Sequence, residues 1–388
     1  MTRDTIAARR APRVVHVAAV EYTARVLLAP QLAALQDRGY DVRLICAPDG
    51  AEFAADLRRF DPVDVSFPRS LRPAGIAGAL GRFQRAVQEL EPDVLHLHTP
   101  AVALTTRFLP RRALPARTRV VYTVHGFAHV WDHPGLRGRA LERVERLQAR
   151  RTRALLFQSR EDLAQVRARA YRTACYHLGN GVQEDWFTGP RDPANRVGTR
   201  ALFVGRLIRE KGIVDLLDAL ELAPGVTLRV AGPQLPTERD GVGQDVARRV
   251  TQPPLRGRVE LLGELDREQL KLEHARADFL VLPSYREGVP RSVIEGMAGG
   301  LPALVTDVRG SRELVRHGVN GLVVPPREPA ALARGLSAMA SITETEYGAM
   351  SQAAYDTVSS EYRETTVFER LIGVYSELGV PAPRSVAA

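Results

Sequence analysis

Cysteine is almost missing: Cys46 and Cys175 are the only two in 388 residues, and they lie in separate apolar runs. That excludes a disulfide scaffold and a cysteine-held zinc site, and it points to no redox chemistry. Lysine is just as scarce. Lys211 and Lys271 stand beside 52 arginines, a skew expected of a GC-rich genome and weak as a sign of function. No apolar run approaches the roughly 20 residues that span a bilayer. The start of the chain is polar, carries Arg3, Arg9, Arg10 and Arg13, and lacks the apolar core of a secretory signal. The chain is therefore expected to be cytoplasmic, with peripheral contact on the inner face of a membrane left open. Neither a P-loop nor the G-x-G-x-x-G pattern occurs, because Gly241-Val242-Gly243 lacks a third glycine and a preceding strand. A Ser/His/Asp hydrolase has no support without a G-x-S-x-G elbow.

What is present is ordinary globular composition, 45% apolar and 26% charged, at a length that suggests two domains. The net charge of +9 is unevenly spread: residues 1–180 hold 29 arginines against 17 acidic residues, whereas residues 181–388 are slightly acidic. Such asymmetry points to an anionic partner for the first half alone. Between Arg137 and Arg172 there are 11 arginines and four acids, with only Phe157 and Tyr171 as aromatics. That is too few stacking groups for a nucleic-acid surface. If this stretch opens as a helix, Arg139, Arg143, Arg146 and Arg150 share one face. Leu136, Leu141, Val144 and Leu147 are their apolar neighbours, a pattern suited to an anionic leaflet.

Short, continuous, β-branched runs recur at residues 13–20, 41–47, 63–67, 93–98, 119–124, 154–158 and 174–178, with helical patterns such as 24–38 and 74–90 between them. Strands buried on both faces of a parallel sheet read this way. Residues 180–199 break the rhythm with Asn180-Gly181, Gly189-Pro190 and Asp192-Pro193, as an interdomain linker would. A second βα series follows at 200–205, 226–232, 258–262, 278–282, 302–306 and 321–324, and residues 362–378 close the chain as an amphipathic helix. The fold class is α/β, with two doubly wound, Rossmann-like domains at 1–180 and 181–360. A helical tail at 361–388 is expected to cross back to the first domain. Facing domains of this kind place a ligand cleft at the carboxyl ends of their strands.

The most informative run is Pro283-Ser284-Tyr285-Arg286-Glu287-Gly288-Val289-Pro290-Arg291-Ser292-Val293-Ile294-Glu295. A buried strand ends in a Gly/Pro turn and a helix begins near Arg291, with unpaired amides suited to a phosphate. Glu287 on the turn and Glu295 in the first turns of the helix can flank one ligand, and carboxylates accept paired sugar hydroxyls. A second block, Phe203-Val204-Gly205-Arg206-Leu207-Ile208-Arg209-Glu210-Lys211-Gly212, sets Arg206 and Lys211 beside another helix terminus, a diphosphate clamp that needs no metal. Gly232 and Gly263 each follow a strand, where glycine lets a ligand approach the backbone. In the first half, His125 ends the strand of Val121-Tyr122-Thr123-Val124-His125-Gly126-Phe127 on the cleft side. His96 and His98 are read as facing opposite sides of their strand, so that together they form no metal site and His98, nearer the strand end, is the acceptor-side candidate.

The 283–295 run resembles the E-x7-E signature of the retaining glycosyltransferases of family 4, also called glycosyl transferases group 1, which adopt the GT-B fold. The continuation Gly296-Met297-Ala298-Gly299-Gly300-Leu301-Pro302 and Thr306-Asp307-Val308-Arg309-Gly310-Ser311-Arg312-Glu313-Leu314 is similar to the same family. Gly296 and Ser311 stand where alanine and, in many relatives, cysteine are usual. The resemblance implies a UDP-sugar donor with no cofactor and no metal, consistent with the lack of a D-x-D pair. It assigns Arg206 and Lys211 to the diphosphate, Glu287 to the donor sugar, Glu295 to the ribose hydroxyls and His125 to the reacting carbon. It also implies that Gly205, Gly288, Val289 and Pro290 line the donor, and that the base lies between Val230-Ala231-Gly232-Pro233 and Leu261-Leu262-Gly263-Glu264. The first-half phrases around His98 and His125 look most like enzymes of capsular, exopolysaccharide and O-antigen assembly, whose hydroxyl acceptor is often polyprenyl-diphosphate-linked. A soluble secondary-metabolite acceptor, or a nucleotide-sugar epimerase or phosphorylase on the same fold, are the alternatives.

Overall fold

The computed structural model describes residues 10–67, 73–107, 109–127, 135–233 and 242–383. Arg3, Arg9 and Gly241 lie outside the described residues, as does the side chain of Arg137. The chain divides into two compact units, one of Met1–Gln158, Asp162–Leu178 and Phe368–Ala388, the other of Ser159–Glu161 and Gly179–Val367.

The first unit is built on seven strands: β1 (Arg13–Val20), β2 (Asp41–Ala47), β3 (Val63–Asp64), β4 (Val94–His98), β5 (Arg119–Val124), β6 (Ala154–Phe157) and β7 (Ala174–His177). They form one parallel sheet in the order β3-β2-β1-β4-β5-β6-β7. Every residue of β4 and β6 is buried, as expected where helices cover both faces and leave no position for a polar side chain to reach water. Val15, Val17, Leu95, Leu97, Tyr122 and Phe157 belong to its apolar core. The helix Glu364–Glu377 supplies Phe368, Leu371 and Tyr375 to this unit, all buried.

The second unit carries six strands: β8 (Arg200–Val204), β9 (Thr227–Ala231), β10 (Val259–Gly263), β11 (Phe279–Leu282), β12 (Ala303–Thr306) and β13 (Gly321–Val324). They too are parallel, in the order β10-β9-β8-β11-β12-β13. In both sheets the chain winds outward in one direction and then returns to the other side of its first strand. The connections leaving β1 and β4, and those leaving β8 and β11, therefore diverge and open a crevice at the carboxyl ends of those strands.

Residues 180–199, expected as a linker, are instead packed into the second unit. Val182 and Trp186 join its core cluster. Arg191 donates to the carbonyls of Gly299, Ala275 and His274 at 2.7, 2.9 and 2.6 Å. Turn-forming residues mark an irregular backbone, and here that backbone is held by a half-buried guanidinium and two apolar anchors rather than left free. Among the described residues, no helix is long and apolar enough to cross a membrane.

The loop after β11 is shaped by contact with the short helix Arg309–Leu314. A Cβ placed on Gly310 would lie 1.2 Å from the carbonyl oxygen of Gly288, so no other residue fits without moving the loop. Its neighbour Ser311 is fully buried with an unpartnered hydroxyl. The two positions should respond oppositely to alanine. Gly310→Ala is expected to cost about 3 kcal/mol or more through backbone overpacking, while Ser311→Ala should stay within about 0.5 kcal/mol because it removes a polar group that makes no bond. Thermal or urea melts of the two variants check this, and equal melts would contradict the packing.

Candidate functional site

In the second unit the site is assembled at the β8/β11 reversal. Beyond β8, the amide of Gly205 donates to Ala231 O at 2.9 Å, and beyond β9 the amide of Gly232 donates to Gly263 O at 2.8 Å. The three glycines singled out in the sequence thus lace neighbouring strand ends into one backbone surface. Gly232 has φ 148°, and a Cβ on it would lie 2.0 Å from Gly205 O. Only glycine permits this approach.

The two charged motifs converge on that surface. Lys211 Nζ sits 2.6 Å from Glu287 Oε1, joining the loop after β8 to the loop after β11. Ser284 Oγ donates to the same carboxylate oxygen at 2.6 Å, and Thr306 Oγ1, at the end of β12, donates to Ser284 O. The Glu287 side chain is only 8% exposed, so its orientation is set by this network and not by solvent. Arg206 is half-buried on the same connection. Tyr285 N donates to Glu210 O at 2.8 Å and Tyr285 OH donates to Asp215 Oδ1 at 2.9 Å, tying the two loops together again.

Gly288, Val289 and Pro290 carry the chain from Glu287 into the helix Arg291–Ala298, and Asn180 Nδ2 donates to Val289 O at 2.8 Å to hold the turn. Glu295 lies one turn inside that helix and is buried. Burial raises its pKa, and the Arg291 guanidinium pulls it back down, with Nε 3.1 Å from Oε1. Arg291 also donates to Gln183 Oε1 at 2.9 Å. Sequence reasoning missed Ser284, Thr306 and Arg291. Ser284 and Arg291 flank the glutamates inside the same run, and their polar character within a buried turn was the available signal.

In the first unit the histidines correct the sequence reading. Residues two apart on a strand share a face, and the rings of His96 and His98 stack with centroids 4.3 Å apart. They do not face opposite sides. His16, not singled out in the sequence, stands opposite His96 in the β1/β4 register, with ring centroids 4.9 Å apart. Its signal was a polar residue in the middle of the buried run Val14–Val17. His16 Nδ1 lies 2.9 Å from His98 Nε2, and His98 Nδ1 lies 3.2 Å from His125 Nε2. His125 is hydrogen-bonded to the Gln158 side chain as well. Burial lowers the pKa of His16 to about 3 and that of His125 to about 4, and holds His96 and His98 well below the ordinary imidazole value. All four are neutral at physiological pH. Thr99, immediately after His98, has φ 75°, a strained conformation for a β-branched residue and of the kind that collects at ligand sites.

His16, His96 and His98 each place a ring nitrogen within 4.8 Å of the others, a donor set that suits zinc, copper or nickel. The bonds already made argue against that use. His96 Nδ1 is 2.6 Å from Tyr375 OH and its Nε2 2.7 Å from Thr123 Oγ1, while His16 and His98 face each other. Apart from His16 Nε2, every ring nitrogen of the three is already spent on a hydrogen bond.

Comparison with known proteins agrees with this architecture. The Glycosyltransferase Family 4 model matches residues 26–186 and the Glycosyl transferases group 1 model residues 194–357. EpsD of Bacillus subtilis (strain 168), named as a glycosyltransferase, is 27% identical over 359 residues, 83% of this chain and 86% of EpsD. The GDP-mannose:cellobiosyl-diphosphopolyprenol alpha-mannosyltransferase of Xanthomonas oryzae pv. oryzae (strain PXO99A) is 26% identical over 302 residues, 74% of this chain and 75% of that one. Among solved structures, sucrose-phosphate synthase from Thermosynechococcus elongatus superposes with a TM-score of 0.78 at 19% identity, covering 95% of this chain and 99% of its own. Anabaena Alr3699/HepE in complex with UDP and glucose gives 0.75 at 19% identity, covering 94% and 100%. Two parallel α/β sheets of GT-B type and two consecutive family matches lead to one conclusion: the chain belongs to glycosyltransferase family 4.

Proposed function

We propose that this glycosyltransferase moves a sugar from a UDP-sugar to a hydroxyl acceptor with retention of anomeric configuration, without a metal, in the assembly of a cell-surface polysaccharide. The observation that carries the reading is the meeting of Lys211 and Glu287 at the strand reversal of the second unit. One cation and one carboxylate held side by side match a ligand that is anionic at one end and hydroxylated at the other. HepE, with UDP and glucose bound, supports UDP as the nucleotide. Arg206 and Lys211 take the diphosphate, Lys211 exchanging Glu287 for phosphate oxygens. Glu287 accepts from the donor sugar and Glu295 from the ribose hydroxyls. Gly205, Gly232 and Gly263 leave room for the nucleotide against the backbone, Gly288, Val289 and Pro290 line the sugar side, and His125 and His98 serve the reacting carbon and the acceptor. In the step itself the bond from the anomeric carbon to the diphosphate oxygen breaks, the acceptor oxygen bonds to the same face of that carbon, and a departing phosphate oxygen takes the acceptor's proton. The protein supplies position and charge stabilisation.

The acceptor is a polyprenyl-diphosphate-linked glycan, a reading supported by the diphosphopolyprenol substrate in the Xanthomonas relative's name and by one helix of the first unit. Gly135–Ala149 turns Glu145 and Gln148 inward, with both Glu145 oxygens 2.7 and 2.8 Å from the Arg107 guanidinium. Outward it shows Leu136, 82% exposed, and Leu147, 61% exposed, beside the exposed Arg139, Arg143 and Arg146. Arg150, just past the end of the helix, is exposed as well. A helix with its ion pair inside and its leucines outside suits an anionic leaflet, where each basic residue contributes about 1 kcal/mol.

Lys211→Ala and Arg206→Ala should each weaken UDP binding and cut turnover roughly 100-fold, with EDTA leaving the wild-type rate unchanged. Glu287→Gln should abolish transfer with UDP affinity kept, whereas Glu295→Gln should lose UDP affinity. Calorimetry and turnover on these variants decide the assignment, and wild-type turnover in both cation variants would end it. In flotation, the chain should rise with phosphatidylglycerol-containing vesicles and not with pure phosphatidylcholine, and should stop rising when Arg139, Arg143, Arg146 and Arg150 become glutamine. Equal recovery on both vesicles would transfer the acceptor to the soluble class.

A further inference from the structure

The histidines of the first unit form a single file, His16 to His98 to His125, from the middle of β1 to the end of β5. We propose that His16 and His98 are positioning residues that hold His125 as its Nδ1–H tautomer, so that His125 meets a ligand as a hydrogen-bond donor and not as a proton acceptor. This rests on the reading of His125 as a ligand-facing group.

The inference follows from one orphaned atom. His16 is fully buried and its Nε2 has no partner. A neutral imidazole carries one proton on one of two nitrogens. Placing it on Nε2 would leave a buried N–H without an acceptor, the rarer and less tolerated defect, whereas placing it on Nδ1 leaves only a bare lone pair. His16 Nδ1–H then donates to His98 Nε2 across 2.9 Å. His98, also neutral, must carry its own proton on Nδ1 and donate to His125 Nε2 across 3.2 Å. With Nε2 accepting, the remaining proton of His125 belongs on Nδ1. One choice at the buried end thus sets the polarity of the whole file, and aligned bonds of this kind polarise one another.

His96 stands beside the file without joining it. Both its nitrogens are committed, to Tyr375 on the C-terminal helix and to Thr123 on β5, so it cannot invert the direction. The lone pair a general base would need on His125 is already occupied by His98. What the residue has left to offer a sugar or phosphate oxygen is its Nδ1–H, in exchange for its present bond to Gln158. This agrees with a step in which the leaving phosphate, and not an imidazole, takes the proton.

Long-range proton–nitrogen correlation spectra of the full chain, labelled with 15N-histidine and recorded at pH 7.5 without nucleotide, read the tautomers directly. His16, His98 and His125 should each appear as the Nδ1–H form. In His16→Phe a flat aromatic ring is kept and the first donor is lost. The His125 nitrogens should then shift, although His98 stands between, and a circular dichroism melt establishes that the variant is folded. An Nε2–H signal on His98 in the wild type overturns the proposal, and so does an unchanged His125 spectrum in folded His16→Phe. If that variant does not fold, the wild-type tautomers alone decide. Zinc copurifying in stoichiometric amount and replacing the His16 N–H would overturn it in favour of a cation site. Because no sugar nucleotide is present, a chain that fails to bind UDP would sink the functional reading while leaving the tautomer result standing.

Discussion

The donor site proposed for this protein depends on the reversal of strand order between β8 and β11. A parallel sheet that is wound first one way and then the other has one place where successive connections part, and a ligand can reach the strand ends only there. Lys211 leaves β8 and Glu287 leaves β11, and their contact of 2.6 Å is what the reversal makes possible. Residues 76 positions apart in the chain become neighbours because the sheet order is β10-β9-β8-β11-β12-β13. The surrounding backbone serves this pair: Ser284 orients the carboxylate, Thr306 fixes Ser284, and Gly310 lets the loop carrying Gly288 settle against the next helix.

The same topology in the first unit makes a different interior. At the β1/β4 reversal the strands contribute imidazoles instead of carboxylates and cations, and all four are kept neutral by burial. A neutral, mutually bonded cluster directs hydrogen bonds without holding charge, whereas the second unit keeps a full ion pair. The two interiors therefore offer different chemistry, uncharged hydrogen bonds in the first unit and a charged pair in the second.

Much of this was legible in the sequence, for stated reasons. Strands buried on both faces must be continuous and β-branched, so twelve of the thirteen apolar runs coincide with strands to within about two residues; β3 stops at Asp64, short of the expected 67, because its neighbour β2 pairs with it only at Ile45 and Cys46. Glu287, Glu295, Arg206 and Lys211 were singled out by two motifs in which a buried strand runs through a turn into a helix, and their roles came from the resemblance those motifs carry. His16 escaped because one polar residue inside an apolar run names no partner, and its meaning appears only when β4 lies alongside it. The His96/His98 reading failed on the two-residue strand period itself. Residues 180–199 looked like a free linker because turn chemistry is local, while the buried positions of Val182 and Trp186 are tertiary.

The central claim is that the second unit recognises a uridine diphosphate without a metal. A thermal-shift series of the wild-type chain with UDP, GDP and ADP in the presence of EDTA tests it most directly, since a ligand that binds only the native state raises its melting temperature. The account predicts a saturable rise with UDP that exceeds the rise with GDP or ADP. No rise with any of the three, or a rise that appears only when manganese is restored, would contradict it.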